Sequence, residues 1–426
     1  MRILFLTQWF DPEPGAIRGL PLARWLAGRG HDVQVVTGFP NYPGGKLYPG
    51  YSLPWPLREI RDGIPILRVP LYPDHSHSAI GRVANYLSFM VSAGTLGAAL
   101  AGPADVLYVY HPPPTVGLAG LVFKALRRLP VVYHIADMWP ESAVDSGMLG
   151  CGRLRRFAES WLARTCSLLY RNAESITVLS RGFRQLLLER GVPGEKIHVV
   201  YNWTAEEIFR PLPREEALAR ELGLAGRFNV IYAGNHGAFQ GLDTLIAAVN
   251  ELRDIPEIQI VLIGEGQEKE SLMRLARDTN ASNVRFLTSR PYDLMPQINA
   301  LADALVIHLR DFPFFASTIP SKTQVAMASG RPVLMAVRGE AADVIRTSGA
   351  GLVTEPENPA ALADAIRLLY RLSAEEREAM GRRGREFYLR EMSLERGGLQ
   401  MEGLFESAVA RSSAGERAAM ARRVEE

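Results

Sequence analysis

A β-run that ends in a glycine-rich turn at mid-chain constrains this sequence more than any other feature. Phe228-Asn-Val-Ile-Tyr-Ala233 leads into Gly234, Gly237 and Gly241, after which apolar Leu242, Leu245, Ile246 and Val249 recur at helical spacing. Strand, glycine turn and helix start together suit an anion. The glycines let backbone approach a phosphate, and the unpaired N–H groups of a first helical turn point at it. The spacing is not the Gly-x-Gly-x-x-Gly of dinucleotide sites. Its mid-chain position makes it the opening of a second domain.

The rest of the chain alternates in the same way. Strands are expected at Ile3–Thr7, Asp32–Thr37, Ile66–Pro70, Val106–Tyr110, Val131–Ile135 and Ser175–Leu179, with helices between them at Leu20–Gly30, Ala79–Ala101, Val116–Leu126 and Leu154–Arg171. Pro211 and Pro213 mark a linker, and the alternation restarts with Val230–Ala233, Gln259–Ile263, Val284–Leu287, Ala304–Ile307 and Val333–Ala336. The chain beyond Ala374 reads as charged helix. The expectation is α/β: two doubly wound, Rossmann-like domains facing a central cleft, with ligands beyond the carboxyl ends of the strands. The domains are placed at 1–205 and 206–384, with a C-terminal helix from about residue 385 to 426 packing back on the first.

Charge separates the halves. Residues 1–200 hold 21 Lys/Arg against 14 Asp/Glu, and residues 201–426 hold 27 against 32, giving +7 and −5. This fits either drift between two domains or a first half that meets an anionic surface such as a membrane leaflet. Nothing points to nucleic acid. Two cysteines, Cys151 and Cys166, make neither a disulfide framework nor a metal cluster, which suits a reducing cytosol. The N-terminal apolar run is too short for a signal peptide and leads straight into Asp11-Pro-Glu-Pro14. The uncharged stretch Val83–Ala104 reads first as a buried helix and second as a membrane-surface helix; its Asn85, serines, glycines and alanines argue against a span.

Candidate site residues gather at strand exits. Gly15, after the first strand, offers backbone N–H groups to a phosphate or is simply a turn glycine. Gly264 and Glu265, in Val261-Leu-Ile-Gly-Glu-Gly266, sit where a nucleotide's base or ribose is commonly held. In Ile319-Pro-Ser-Lys-Thr, Ser321 is a good N-cap, and Lys322 in a first helical turn opposes the helix dipole unless it faces an anion. Arg310 is placed to reach the same pocket. His134, Asp137 and Glu141 leave an N-terminal strand, with Asp137 or Glu141 able to orient a hydroxyl or take its proton and His134 able to bridge to a substrate. Asp-x-Asp, His-Glu-x-x-His, paired-Cys and Gly-x-Ser-x-Gly motifs are absent, so metal-dependent and serine-hydrolase chemistry have no sequence support.

With these residues in view, the chain resembles the family 4 glycosyltransferases of the GT-B fold, and within them the enzymes of colanic-acid and O-antigen assembly. The resemblance extends to about residue 395. It is carried by Gly38-Phe-Pro-Asn-Tyr-Pro-Gly-Gly45, Asp137-Met-Trp-Pro-Glu-Ser142, Tyr201-Asn-Trp203, Ala233-Gly-Asn-His-Gly-Ala-Phe-Gln-Gly-Leu242 and Ile319-Pro-Ser-Lys322. It implies a metal-independent, retaining hexosyl transfer from a nucleotide diphosphate sugar, with no further cofactor. The donor would lie against Gly234, Asn235, Gln240, Gly264, Glu265, Ser321, Lys322 and Thr323, with the Gly15 loop over the diphosphate. The acceptor, a glycan on a polyprenyl diphosphate, would pass Asn41, Tyr42, His134 and Asp137. The resemblance also implies a cytoplasmic protein, peripheral on the inner membrane, with Arg153, Arg155, Arg156 and Arg164 as candidates for the lipid surface.

The chain departs from the family in its charges. Many members carry Arg and Lys in the glycine turn, where this chain has Asn235 and Gln240. Many carry two glutamates eight positions apart, where this chain has Ser317 and Val325. A nucleotide-sugar epimerase of the same fold stays open as an alternative enzyme, and the lost carboxylates keep open a non-catalytic nucleotide-sugar-binding assembly protein.

Overall fold

The computed structural model describes residues 1–14, 18–75, 79–141 and 152–425, the side chains of residues 111, 153, 154 and 415–425 excepted. The chain forms two compact units. The first comprises Met1–Leu179, Phe183–Tyr201 and Gly397–Glu426, and the second Ser180–Gly182 and Asn202–Arg396.

The first unit is built on an eight-stranded sheet in the order β3-β4-β2-β1-β5-β6-β7-β8. Its strands are β1 (Arg2–Thr7), β2 (Asp32–Gly38), β3 (Leu57–Arg61), β4 (Ile64–Val69), β5 (Val106–His111), β6 (Val131–Ile135), β7 (Ser175–Val178) and β8 (Ile197–Val199). All neighbours are parallel except the edge pair β3–β4. Ile3, Leu4, Phe5 and Leu6 are all buried, as a strand covered on both faces requires. The long C-terminal helix Leu394–Glu425 contributes Met401, Phe405 and Ala408 to this core, with Phe405 edge-on to Tyr108 at 5.7 Å. Glu402 on the same helix pairs with Arg29 and His31.

The acid-free helix begins at Ala79, runs to Ser92, and continues through a π turn at Ala93–Gly97 to Leu100. The expectation of a buried helix is corrected here, because only 33% of its most apolar stretch lies inside the protein.

The second unit holds a six-stranded, all-parallel sheet ordered β11-β10-β9-β12-β13-β14. The strands are β9 (Phe228–Ala233), β10 (Ile258–Ile263), β11 (Val284–Leu287), β12 (Ala304–His308), β13 (Val333–Ala336) and β14 (Gly351–Val353). Strand order reverses at β9, so the crevice for a ligand opens beyond the carboxyl ends of β9 and β12. A core of Val230, Tyr232, Leu245, Ile246, Ile260, Leu262 and Val306 holds the sheet to its helices.

Helix Ala374–Glu391 starts with a capping box, Ser373 and Glu376 bonding each other's backbone N–H groups. It packs tightly because its inward residues are glycines: a Cβ on Gly381 would stand 2.0 Å from the Gly330 carbonyl oxygen. Tyr388, on the same helix, donates to Glu206 (2.8 Å) and accepts from the Thr204 N–H (3.1 Å), tying down the linker segment. Gly381→Ala is therefore expected to destabilise the protein by about 1–3 kcal/mol, the usual cost of overpacking. Ser373→Ala should cost about 1 kcal/mol through the lost cap. Chemical denaturation of the two variants tests the order.

Candidate functional site

The second unit contains a cavity of about 480 Å³ at the reversal of its strand order. Its floor is the carboxyl ends of β9, β10 and β12, through Ala233, Ile263 and Ile307. One wall is Gly234 and Asn235, a second is Gly264 and Glu265, and a third is Ser321 and Lys322 at the start of helix Ser321–Ala328. Ser289, Arg290, Tyr292, Met295 and Phe209 close the far end.

Glycine is required at two points. Gly234 has φ +147° and Gly264 φ +145°, and a Cβ on Gly264 would lie 1.9 Å from the Gly234 carbonyl oxygen. The Gly234 N–H donates to the Ile263 carbonyl at 2.9 Å, locking the two turns side by side. A Cβ on Gly234 would also stand 2.5 Å from Lys322 Cε. The first glycine of the turn thus makes room for a side chain from the far helix.

Lys322 is the charge of this site. Its ammonium lies 5.1 Å from the centre of the Tyr232 ring, and burial alone pushes its pKa down. Among the described residues no carboxylate pairs with it. Lys269, by contrast, is held by Glu265 (2.7 Å) and the Gly264 carbonyl (3.0 Å), and this pairing draws the Glu265 carboxyl below its ordinary range. Glu265 also receives the Ser289 N–H at 3.3 Å, bridging two walls. Arg290 is a second cation on the lining, and its Nε is buried without a hydrogen-bond partner.

Several expected residues sit elsewhere. Arg310 does not reach the cavity: it pairs with Glu357 (2.8 Å) and Asp243 (2.9 Å) and donates to the Ala238 carbonyl (3.0 Å). Its positive charge is met, and its function is to brace the glycine turn. The N-terminus of helix Asp243–Asn250 is likewise outside the lining, because a short 3-10 turn at Ala238–Gln240 intervenes and Asp243 faces Arg310. Gln240 is one step removed from the cavity, where its carbonyl accepts from His308 Nδ1 at 2.8 Å. His308 Nε2 accepts from the Glu357 N–H at 3.2 Å, so this buried histidine is neutral and fixes the far side of the turn. Thr323 is wholly buried behind the helix start and does not line the cavity.

In the first unit, His134 is buried in the core, stacked on Tyr110 at 5.3 Å, with Nδ1 against Thr177 (2.7 Å) and Arg18 (3.3 Å). It is thereby withdrawn from any substrate. Glu141 is ion-paired with Arg190. Asn41 is buried in an amide network, bonded to Phe39 (2.9 Å), Asn85 (3.1 Å) and the Glu13 carboxylate (2.8 Å). Two groups stay open. Tyr42 is exposed beside Trp9 (5.3 Å) and His75 (5.2 Å), and Asp137 is exposed while its desolvated surroundings push its carboxyl up. Gly15 lies outside the described residues. Of the candidates for a lipid surface, Arg155 pairs with Glu159 at 2.6 Å, Arg156 and Arg164 are exposed, and the Arg153 side chain lies outside the description.

The sequence reading missed Phe209, Arg290, Tyr292 and Met295. Arg290 and Tyr292 follow β11, another strand exit, and the rule that flagged Gly234 and Gly264 would have reached them. Val325 also lines the cavity and leaves that part of the wall apolar.

Residues 17–203 match the family model described as glycosyl transferase 4-like domain, and residues 214–387 that of glycosyl transferases group 1. The chain is 28% identical over 384 residues to the putative colanic acid biosynthesis glycosyl transferase WcaI of Escherichia coli K12, covering 86% of this chain and 91% of the relative. It is 25% identical over 238 residues to the probable glycosyltransferase WbjE of Pseudomonas aeruginosa, covering 55% and 58%. Among solved structures, Anabaena Alr3699/HepE in complex with UDP and glucose superposes with a TM-score of 0.68 at 18% identity, over 95% of this chain and 99% of that one. WaaG, involved in lipopolysaccharide biosynthesis, gives 0.61 at 19% identity over 96% and 98%. At these identities the superpositions establish the fold.

The unpaired ammonium carries a pH signature. Burial lowers the Lys322 pKa in the folded protein from its ordinary 10.5. Between the folded and unfolded values the unfolded chain holds the extra proton, so the ligand-free protein gains stability from this residue as pH rises. Affinity for a nucleoside diphosphate should fall over the same window as the ammonium is lost. Calorimetry and thermal melts from pH 7 to 10.5 should show both trends relative to Lys322→Met. Equal profiles in the two proteins would mean that the ammonium meets no anion.

Proposed function

Because the chain belongs to the family 4 glycosyltransferases of the GT-B fold, its first half 4-like and its second half of group 1, we propose that it transfers a hexosyl unit from a nucleotide diphosphate sugar to a glycan acceptor, with retention and without a metal ion. The observation that carries this reading is the buried ammonium of Lys322, paired with no carboxylate among the described residues and lining a cavity large enough for a nucleoside diphosphate.

In this mechanism the donor's diphosphate lies between Lys322 and the Gly234 turn. The N–H groups that open helix Ser321–Ala328 add their partial positive charge. Its nucleoside extends toward Tyr292, Phe209 and Met295, with Arg290 beside it. As the bond from the anomeric carbon to the leaving oxygen breaks, negative charge builds on the diphosphate. A preorganised cation in a desolvated site stabilises that charge without reorganising. The acceptor hydroxyl attacks from the leaving-group face, its oxygen bonding the anomeric carbon while its proton passes to the departing phosphate oxygen. No protein nucleophile is required.

The acceptor binds the first unit, where Tyr42 and Asp137 are the expected residues open to solvent. A polyprenyl-diphosphate-linked glycan is the acceptor class we assign, given the relative from colanic acid biosynthesis. It would place the enzyme at the cytoplasmic face of the inner membrane, in the assembly of a cell-surface polysaccharide.

Incubating the protein with nucleotide sugars and a bacterial lipid extract should release nucleoside diphosphate only when acceptor is present. Lys322→Ala should lower turnover about 10²-fold, the cost of losing one preorganised charge-stabilising donor. Unchanged turnover in that variant would remove Lys322 from the mechanism. Excess EDTA should leave the rate unchanged, and a rate restored by added Mg²⁺ would overturn metal independence.

A further inference from the structure

The helix that runs from Ala79 to Leu100 is inside out. The residues it turns to the core include Gly81, Asn85, Phe89, Gly94 and Gly97, mostly small or polar. Its large aliphatics, Ile80, Val83, Leu87, Val91, Leu96 and Leu100, face solvent, with Ile80 82% and Val91 56% exposed. A surface helix of a water-soluble domain shows the opposite distribution.

The spacing of the outward residues is 3, 4, 4, 5 and 4. In a regular α-helix the step of five would carry Leu96 off the stripe. Here the step falls on the π turn at Ala93–Gly97, which takes one extra residue per turn and returns Leu96 and Leu100 to the same face. Thr95, exposed on this face, donates its hydroxyl back to the Val91 carbonyl at 2.7 Å, so its donor needs no water. The neighbouring helix Pro114–Arg127 extends the surface. Its Val122 packs against Gly94, and Val122 and Leu126 are exposed.

Charge identifies the occupant. Residues 79–136 contain one acid, Asp105, against Arg82, Lys124, Arg127 and Arg128. Asp105 is ion-paired with Arg2. Cations collect at the Leu100 end of the stripe: Arg58 donates to the Leu100 carbonyl (2.6 Å), Arg127 donates to the Gly102 carbonyl (2.7 Å), and Arg128 beside it is exposed. The two acids that approach the helix from elsewhere, Asp74 against Gly81 and Asp137 near Tyr86, lie toward its Ala79 end. An aliphatic stripe with a basic rim at its Leu100 end matches a bilayer surface that presents anionic headgroups over hydrocarbon.

We propose that the Ala79–Leu100 face, together with Val122 and Leu126, lies in the plane of an anionic membrane. This face, rather than the arginine-bearing helix Gly152–Asn172, is the lipid contact of the protein. The contact needs no sugar transfer, so it stands or falls separately from the function proposed above.

The test is flotation of the full-length protein with vesicles of phosphatidylcholine alone and of phosphatidylcholine with phosphatidylglycerol. Wild type should float with the anionic vesicles, less so at high salt. Leu87→Glu/Val91→Glu should lower the bound fraction at least about tenfold, since charges on the apolar face oppose insertion. Arg128→Glu should weaken the salt-sensitive part, and Arg156→Glu/Arg164→Glu should bind as wild type. Far-UV circular dichroism and a nucleoside diphosphate thermal shift show whether each variant is folded, and Leu87→Ser/Val91→Ser replaces the glutamate pair if it is not. Unchanged flotation in the folded Leu87/Val91 variant overturns the proposal, as does loss of binding in Arg156→Glu/Arg164→Glu. A lipid-free dimer that the Leu87/Val91 variant dissolves, with no vesicle binding by wild type, would also overturn it in favour of a second copy of the chain.

Discussion

A buried ammonium with no carboxylate partner is a cost that a fold normally avoids, and among the described residues the second unit is arranged around one, Lys322. Lys322 reaches its position only because Gly234 has no side chain, and Gly234 can adopt its φ of +147° only because it is glycine. Gly264 must be glycine in turn, since the Gly234 carbonyl occupies the place of its Cβ. Two strand exits and one helix start are thereby fitted around an ammonium that no described carboxylate meets. Desolvation lowers the pKa of such a group, and a bound dianion would raise it again, so the site is complementary to a ligand of opposite sign.

The other cations near the glycine turn show how different a structural charge looks. Arg310 has two carboxylates and a carbonyl around it, and Lys269 has a carboxylate and a carbonyl. Both hold loops in place, and neither lines the cavity. Asn235 in the turn and Val325 in the wall add neither a cation nor a carboxylate to the cavity. Lys322 and Arg290 are its positive charges, Glu265 being neutralised by Lys269.

Most of the fold was legible because it is local. Strands of alternating α/β units are continuous apolar runs, and their glycine exits are written in adjacent residues, so the sheets of both units and the walls at Gly234, Gly264 and Ser321-Lys322 could be located in the sequence. What escaped depends on partners distant in sequence. Asp243 and Glu357 lie 67 and 47 residues from Arg310, and no local pattern announces that they claim it. Asn41 looked available because its loop is polar; Asn85 and Glu13 bury it. The three-residue strands Ile197–Val199 and Gly351–Val353 are too short to show a period and exist through their sheet neighbours.

Glycine does the same physical work in both units, with opposite consequences. At Gly234 and Gly264 it lets backbone and a lysine stem come close, leaving a charge facing inward. At Gly94 and Gly97 it lets a helix settle against Val122 and Val36, where a Cβ would meet the nearest atoms at 3.5 Å and 2.9 Å. A helix that gives its inner face to small residues has no room inside for its large ones, so the aliphatics must point outward. The π turn then keeps them aligned across an odd step in the sequence. An accidental exposure would have no reason to preserve that alignment. A stripe held straight over more than twenty residues by a local change of helix type is what a flat apolar surface demands of the helix that lies on it.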